Sequence, residues 1–155
     1  MAVVTITDWI DINDGDIDNG LFVKLFSNED TLDIKRFNLV TADGQLADGT
    51  AELTKPCNSM VVEVEATETD GAAKAGVVEP LAISRYGDFK IATALTVGTQ
   101  ILLANTTEGA AGDLVTAAGE EGDLSQVVAT VIPDGKGSST NNIIRFEPKT
   151  GAEIA

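Results

Sequence analysis

Short runs of β-branched and aliphatic residues, each followed by a turn signal, recur along the chain and constrain its fold more than any other feature. Pairs that tolerate turn geometry separate the runs, such as Asp43-Gly44 and Asp70-Gly71. No stretch keeps a helical period over three turns. The pattern therefore predicts an all-β fold, a single β-barrel or sandwich-like domain. The predicted strands are residues 3–6, 21–26, 32–40, 60–66, 77–86, 89–93, 100–104, 114–117, 126–132 and 142–146.

The turn-forming residues between the runs also predict local details of this fold. Gly87-Asp88 lies between two of the runs and predicts a hairpin with a two-residue connection. In residues 60–66, Val62, Val64 and Ala66 would face one way and Glu63 and Glu65 the other, which predicts a strand with one solvent-exposed face. The stretch 27–30 can cap a short helix or form a turn. Residues 67–76, 105–123 and 135–142 are rich in Gly and polar or acidic residues, and they predict long exposed loops.

The length of 155 residues suits one domain with one hydrophobic core. We expect residues 1–20 to form an N-terminal strand and an acidic loop, and residues 21–155 to form a single β domain. The strand-forming run of Val3, Val4 and Ile6 allows two interpretations. It is either an extended arm that adds to a neighbour's sheet, with Trp9 as its anchor, or an edge strand of the same barrel.

The charge balance excludes some classes of partner. With 25 acidic and 10 basic residues, the chain carries a formal charge of −15, which repels phosphate backbones and anionic lipid headgroups. We therefore expect no nucleic-acid and no membrane partner. The first residues show no basic region, apolar stretch or cleavage site of a signal peptide, and no apolar run has the length of a transmembrane helix. These features predict a protein made without an export signal.

Two residue types that carry much enzyme chemistry are scarce. The chain has no histidine, which removes Ser-His-Asp and Cys-His catalysis and imidazole-bound zinc. Cys57 is the only cysteine, so no intramolecular disulfide can form. Its position after Pro56 favours an incidental or partly buried thiol over intermolecular pairing or a reactive nucleophile. No Gly-rich phosphate-binding motif is present. We expect no enzyme activity and no cofactor.

An acidic segment at residues 11–20 suggests calcium, because hard cations prefer clustered oxygen ligands. An EF-hand loop that begins at Asp14 puts Leu25 where the bidentate Glu belongs, and one that begins at Asp11 puts Phe22 there. A solvated acidic loop is therefore favoured over a weak or structural calcium site. The candidate ligands are Asp11, Asn13, Asp14, Asp16 and Asp18.

Arg85 and Tyr86 end a predicted strand directly before Gly87, and both residue types are enriched at interface hot spots. Their alternative is an Arg in solvent beside a half-buried Tyr. Trp9, next to the acidic segment, anchors either the core or a partner. The interface candidates are Val3, Val4, Ile6, Trp9, Arg85 and Tyr86.

Four segments carry a family resemblance: EPLAISRYGDF at 79–89, VGTQILL at 97–103, GDLVTA at 112–117 and QVVATVI at 126–132. With the final strand they span residues 79–146 and resemble the small β-barrel head decoration, or capsid cement, proteins of tailed bacteriophages. The resemblance implies a virion protein on the outer surface of the head, made in the host cytoplasm. It also implies a symmetric homo-oligomer, often a trimer, that clamps subunits of the major capsid protein and has no catalytic residues.

Three other classes remain open from the sequence. They are another virion or tail structural protein, a calcium-dependent adhesion or carbohydrate-binding module, and a hydrolase that uses paired carboxylates such as Glu63 with Glu65. Calcium dependence would favour the module, and turnover that depends on a carboxylate would favour the hydrolase. Co-purification with particles would favour the virion classes.

Overall fold

The computed structural model describes residues 3–10, 21–28, 34–49, 55–64, 77–104, 112–116 and 126–149. Within these ranges the chain forms strands and turns and no helix, which confirms the all-β prediction. The strands are β1 (Val3–Val4), β2 (Ile6–Ile10), β3 (Leu21–Asn28), β4 (Leu39–Val40), β5 (Ser59–Val64), β6 (Val77–Ser84), β7 (Gly87–Thr96), β8 (Gln100–Leu103), β9 (Leu114–Thr116), β10 (Val127–Val131) and β11 (Thr140–Phe146).

The strands form two antiparallel sheets. A seven-stranded sheet in the order β1-β9-β8-β10-β11-β7-β2 curves into a nearly closed barrel, and a four-stranded sheet has the order β3-β6-β5-β4. The main core lies between them, because Leu39 and Met60 of the small sheet pack in one cluster with Phe89 and Phe146 of the barrel. Phe89 and Phe146 meet edge to face, with ring centroids 6.2 Å apart.

The N-terminal run lies in the barrel wall. Val3 and Val4 pair with Val115 and Leu114 of β9, and β2 pairs with β7 at the other edge of the sheet. Thr5 is the single residue between the two strands, so the run crosses from one edge of the sheet to the other. The structure therefore has the edge strand and not the free arm.

The predicted hairpin at Gly87-Asp88 is wrong. β6 belongs to the small sheet and β7 to the barrel, so the connection is a corner between sheets. Gly87 and Asp88 are themselves strand residues that pair with Phe146 and Arg145 of β11. Local turn chemistry indicates that a chain changes direction there, but only long-range pairing decides which strands become neighbours.

Two further strand predictions need correction. In the predicted strand 32–40, the described residues 34–38 form a turn, with Phe37 at a φ of 70° and its N–H donating to the Val61 carbonyl at 2.6 Å. In β5, the one solvent-exposed face that the alternation of residues 60–66 predicts is not present at Val61, which is buried. It packs with Ile34, Val40 and Ile83 in a second small cluster, so both faces of the strand are buried at this position. The stretch 27–30 forms no helix at Ser27-Asn28, which lie in β3, and Glu29-Asp30 fall outside the described residues.

Candidate protein interface

The connection between β6 and β7 exposes two side chains at one corner of the molecule. The buried Ser84 hydroxyl donates a hydrogen bond to the Tyr86 carbonyl at 2.6 Å, and the Tyr86 N–H donates to the same hydroxyl oxygen at 3.3 Å. This compact turn fixes the backbone of Tyr86. Arg85 and Tyr86 are exposed, and Tyr86 is 40% accessible.

An ion pair between a buried carboxylate and a half-buried guanidinium lies directly beside this turn. Asp88, only 3% exposed, accepts two hydrogen bonds from Arg145, at 3.0 Å from Nε and 3.2 Å from Nη2. The pair is bidentate because the register of β7 and β11 sets the two residues opposite each other. The hydrogen bonds to the Asp88 carboxylate raise the pKa of Arg145 above its ordinary value. The Arg145 side chain is 41% accessible.

Arg145 also contacts the exposed tyrosine. Its guanidinium carbon lies 5.9 Å from the centroid of the Tyr86 ring, within the range of a cation–π interaction. The Asp88 carboxylate holds the guanidinium, and the Tyr86 ring lies within cation–π distance of it. An exposed aromatic ring and a half-buried cation therefore lie side by side at this corner.

Trp9 lies on the neighbouring strand. It pairs with Phe89 across β2 and β7, and its half-buried ring packs against the main core. A Cβ on Gly87 would lie 3.3 Å from the indole Nε1 and 3.5 Å from the Phe89 ring. The absence of a side chain at Gly87 therefore leaves room for the indole. We call Trp9, Arg85, Tyr86, Asp88 and Arg145 the Tyr86 corner.

The predicted interface candidates thus lie in two places. Trp9, Arg85 and Tyr86 belong to the Tyr86 corner. Val4 and Ile6 point into the core, each 8% exposed, and Val3 is 51% exposed on the outside of β1. The candidate calcium ligands Asp11, Asn13, Asp14, Asp16 and Asp18 lie outside the described residues.

The sequence interpretation missed Asp88 and Arg145. The sequence predicts a turn at Asp88, and Arg145 stands between two core residues of a predicted strand with nothing to mark it. The alternation of Ile144, Arg145 and Phe146 does indicate that the arginine faces away from the core. It does not indicate the acidic partner 57 residues away.

Other candidate chemistry in the described ranges is limited. Cys57 is buried, and burial raises the pKa of its thiol far above the ordinary value, so the nucleophilic thiolate is suppressed. No group of three or more metal-ligand side chains forms within the described residues. The described part of the chain also holds no helix long and apolar enough to cross a membrane.

Comparison with known proteins adds no assignment. No protein-family model, curated protein or solved structure matches this chain.

Proposed function

We propose that the protein is a structural virion component that binds the outer surface of a phage capsid and stabilises it by clamping coat subunits. The sequence resemblance over residues 79–146 suggests this role. The observation that carries the proposal is the Tyr86 corner, a preorganised group of the three residue types that dominate protein–protein hot spots, namely Trp, Tyr and Arg.

Preorganisation matters because a side chain that becomes ordered on binding loses conformational entropy. For a side chain with many rotamers this loss weakens binding by about 0.5–1.5 kcal/mol. Arg145 is already held by two hydrogen bonds to Asp88, and the backbone of Tyr86 is held by Ser84. A coat subunit can therefore bury Arg145 without first ordering its guanidinium, and it meets Tyr86 on a backbone that is already fixed. A symmetric oligomer would present several corners to the lattice at once and gain avidity.

The charge of −15 supports a contact whose strength depends on salt. The acidic surface would be attracted to basic coat residues around the corner, and such rim charges act mainly on the association rate and are screened by salt. The corner itself supplies apolar area and two arginines, which provide the specific part of the contact.

The test is co-sedimentation of the tagged chain with particles assembled in cells that produce it. We expect the wild-type protein to pellet with the particles and Tyr86→Ala to bind at least tenfold more weakly with an unchanged melting temperature. Lys136→Ala, in the exposed β10–β11 loop, is the control and should bind like the wild type. A wild-type protein that stays in the supernatant would refute the proposed role, and equal binding by all three proteins would refute the use of the corner.

A further inference from the structure

Arg145 uses one edge of its guanidinium to bind Asp88. Nε donates to Asp88 Oδ1 at 3.0 Å and Nη2 donates to Oδ2 at 3.2 Å, which is the side-on bidentate arrangement. A guanidinium has five N–H donors in a rigid planar fork, and this arrangement leaves both N–H groups of Nη1 and one of Nη2. The end of the guanidinium therefore still offers two parallel N–H donors, one from each terminal nitrogen.

The terminal nitrogen Nη1 reaches solvent. Within the described part of the chain, the two hydrogen bonds to Asp88 are the ones that the Arg145 side chain makes, so Nη1 donates to no protein group there. Nη1 is not buried either, since Asp48 Oδ1 is the one buried side-chain nitrogen or oxygen without a partner among the same residues. An acceptor from outside can therefore reach Nη1 without displacing Asp88.

Two parallel N–H donors match a group with two coplanar oxygen atoms. A carboxylate accepts both hydrogen bonds at once, whereas a single carbonyl oxygen does not have this geometry. The guanidinium is oriented before binding, because the 3% exposed Asp88 lies opposite Arg145 in the register of β7 and β11. The ring of Tyr86, with its centroid 5.9 Å from the guanidinium carbon, adds an exposed apolar surface beside it.

The local charges admit an anion at this place. Arg85 and Arg145 each carry a positive charge, and both the buried Asp88 and the exposed Glu147 at the end of β11 carry a negative one. These four charges cancel on a chain whose net charge is −15, so a single carboxylate meets less repulsion here than on an average part of the surface. A polyanion such as nucleic acid would still meet the charge of the whole chain. We propose that the Tyr86 corner binds a carboxylate of a partner protein, which accepts hydrogen bonds from Nη1 and Nη2 of Arg145.

The carboxylate contact rests on the proposed function for the identity of the partner, a coat subunit with an acidic side chain or a chain terminus at the contact. The recognition itself belongs to the isolated chain. Small carboxylates therefore test it without a capsid, and the two proposals fail separately.

The experiment is a titration of the isotope-labelled full chain with benzoate, followed by the NMR signals of the Arg145 side-chain N–H and the Tyr86 backbone N–H. Benzoate has a carboxylate for the guanidinium and a ring that can lie against Tyr86. We expect both signals to shift until they saturate. Benzamide has a similar shape without the charge and should bind about tenfold more weakly, because hydrogen bonds to charged groups are the stronger ones.

A conservative pair of variants tests the fork of donors. Arg145→Lys keeps a cation for Asp88 but loses the second pair of parallel donors, and benzoate should bind to it about tenfold more weakly when measured at the Tyr86 signal. Arg36→Lys makes the same change at an exposed arginine outside the Tyr86 corner and should leave the binding of benzoate unchanged. If Arg145→Lys folds poorly by circular dichroism, the comparison of benzoate with benzamide on the wild-type chain decides.

Two further probes distinguish the sources of the carboxylate. The amide of N-acetylglutamate carries a side-chain carboxylate and N-acetylglycine carries a terminal one, so the tighter binder identifies the source. Shifts with benzoate that are no larger than those with benzamide, or with chloride at the same ionic strength, would overturn the proposal. Equal weakening by Arg145→Lys and Arg36→Lys would overturn it as well. A chain that binds benzoate as expected but does not sediment with particles would refute the capsid role and support the carboxylate site.

Discussion

Gln126 supports a prediction whose size can be worked out from the structure. Its side chain is fully buried, and it makes a two-point contact with the backbone of Cys57. The Cys57 N–H donates to Oε1 at 2.6 Å, and Nε2 donates to the Cys57 carbonyl at 2.8 Å. The amide thus takes the place of a neighbouring strand's peptide group. Without it, two buried backbone groups lose their partners.

Replacing Gln126 with Leu keeps the approximate volume and removes both hydrogen bonds. Each buried group left without a partner costs about 1–3 kcal/mol, so we expect a loss of about 2–6 kcal/mol in the free energy of unfolding. For a chain of this size, 1 kcal/mol corresponds to about 2–4 °C in melting temperature. Urea denaturation of the wild type and Gln126→Leu, followed by circular dichroism, measures the difference. A loss below about 0.5 kcal/mol would refute the argument, because it would lie within the range of neutral surface substitutions.

Gln126→Glu tests the donor alone. One carboxylate oxygen can still accept from the Cys57 N–H, but the other would face the Cys57 carbonyl oxygen, where only a protonated acid can donate. The pKa of the introduced carboxyl is therefore raised in the folded state. The loss in the free energy of unfolding relative to wild type should be small below the pKa of this carboxyl in the unfolded chain. It should grow as pH rises from that pKa to the raised pKa in the folded chain, and it should stay constant above the latter. A cost that is independent of pH would contradict the donor role of the amide.

Three further substitutions or modifications test other parts of the structure. Arg145→Ala leaves the buried Asp88 carboxylate without its cation. Because the arginine is 41% exposed, water can partly replace it, and we expect the free energy of unfolding to fall by about 1–3 kcal/mol in urea denaturation, less than for a fully buried pair. Cys57, whose thiol pKa is raised by burial, should resist a thiol reagent at neutral pH and react once denaturant unfolds the chain. Deleting residues 2–7 removes β1 and the buried side chains of Val4 and Ile6. The burial of each side chain contributes about 1.5–3 kcal/mol to the free energy of unfolding, so the deletion should lower the melting temperature by more than about 6 °C.

Each of these predictions has its own control or contrary result. The double variant Asp88→Ala with Arg145→Ala should be more stable than Arg145→Ala alone, because no charge is then left buried; a less stable double variant would contradict the ion-pair argument. Rapid modification of Cys57 in the folded protein would contradict its burial. An unchanged melting temperature after the deletion would contradict the place of β1 and β2 in the barrel and would favour a free N-terminal arm.

The positions of most strands could be predicted from the sequence because they depend on local signals. Turn pairs and β-branched runs placed β5, β7, β8, β10 and β11 close to their observed bounds. The failures concern long-range choices. The hairpin at Gly87-Asp88 was wrong because β6 and β7 pair in different sheets, and β4 is short because Phe37 turns the chain toward Val61.

The candidate site shows the same division. Arg85 and Tyr86 could be selected from residue type and position, and Trp9 from its size. The ion pair that organises them could not, because Asp88 and Arg145 meet only through the register of β7 with β11.

A density map of particles assembled with this chain tests the central proposal most directly. The proposal predicts the barrel on the outer surface of the head, with Tyr86 and Arg145 buried against coat subunits. Density for the chain in the tail, no density for it on the particle, or a docked barrel whose Tyr86 corner faces solvent would contradict it.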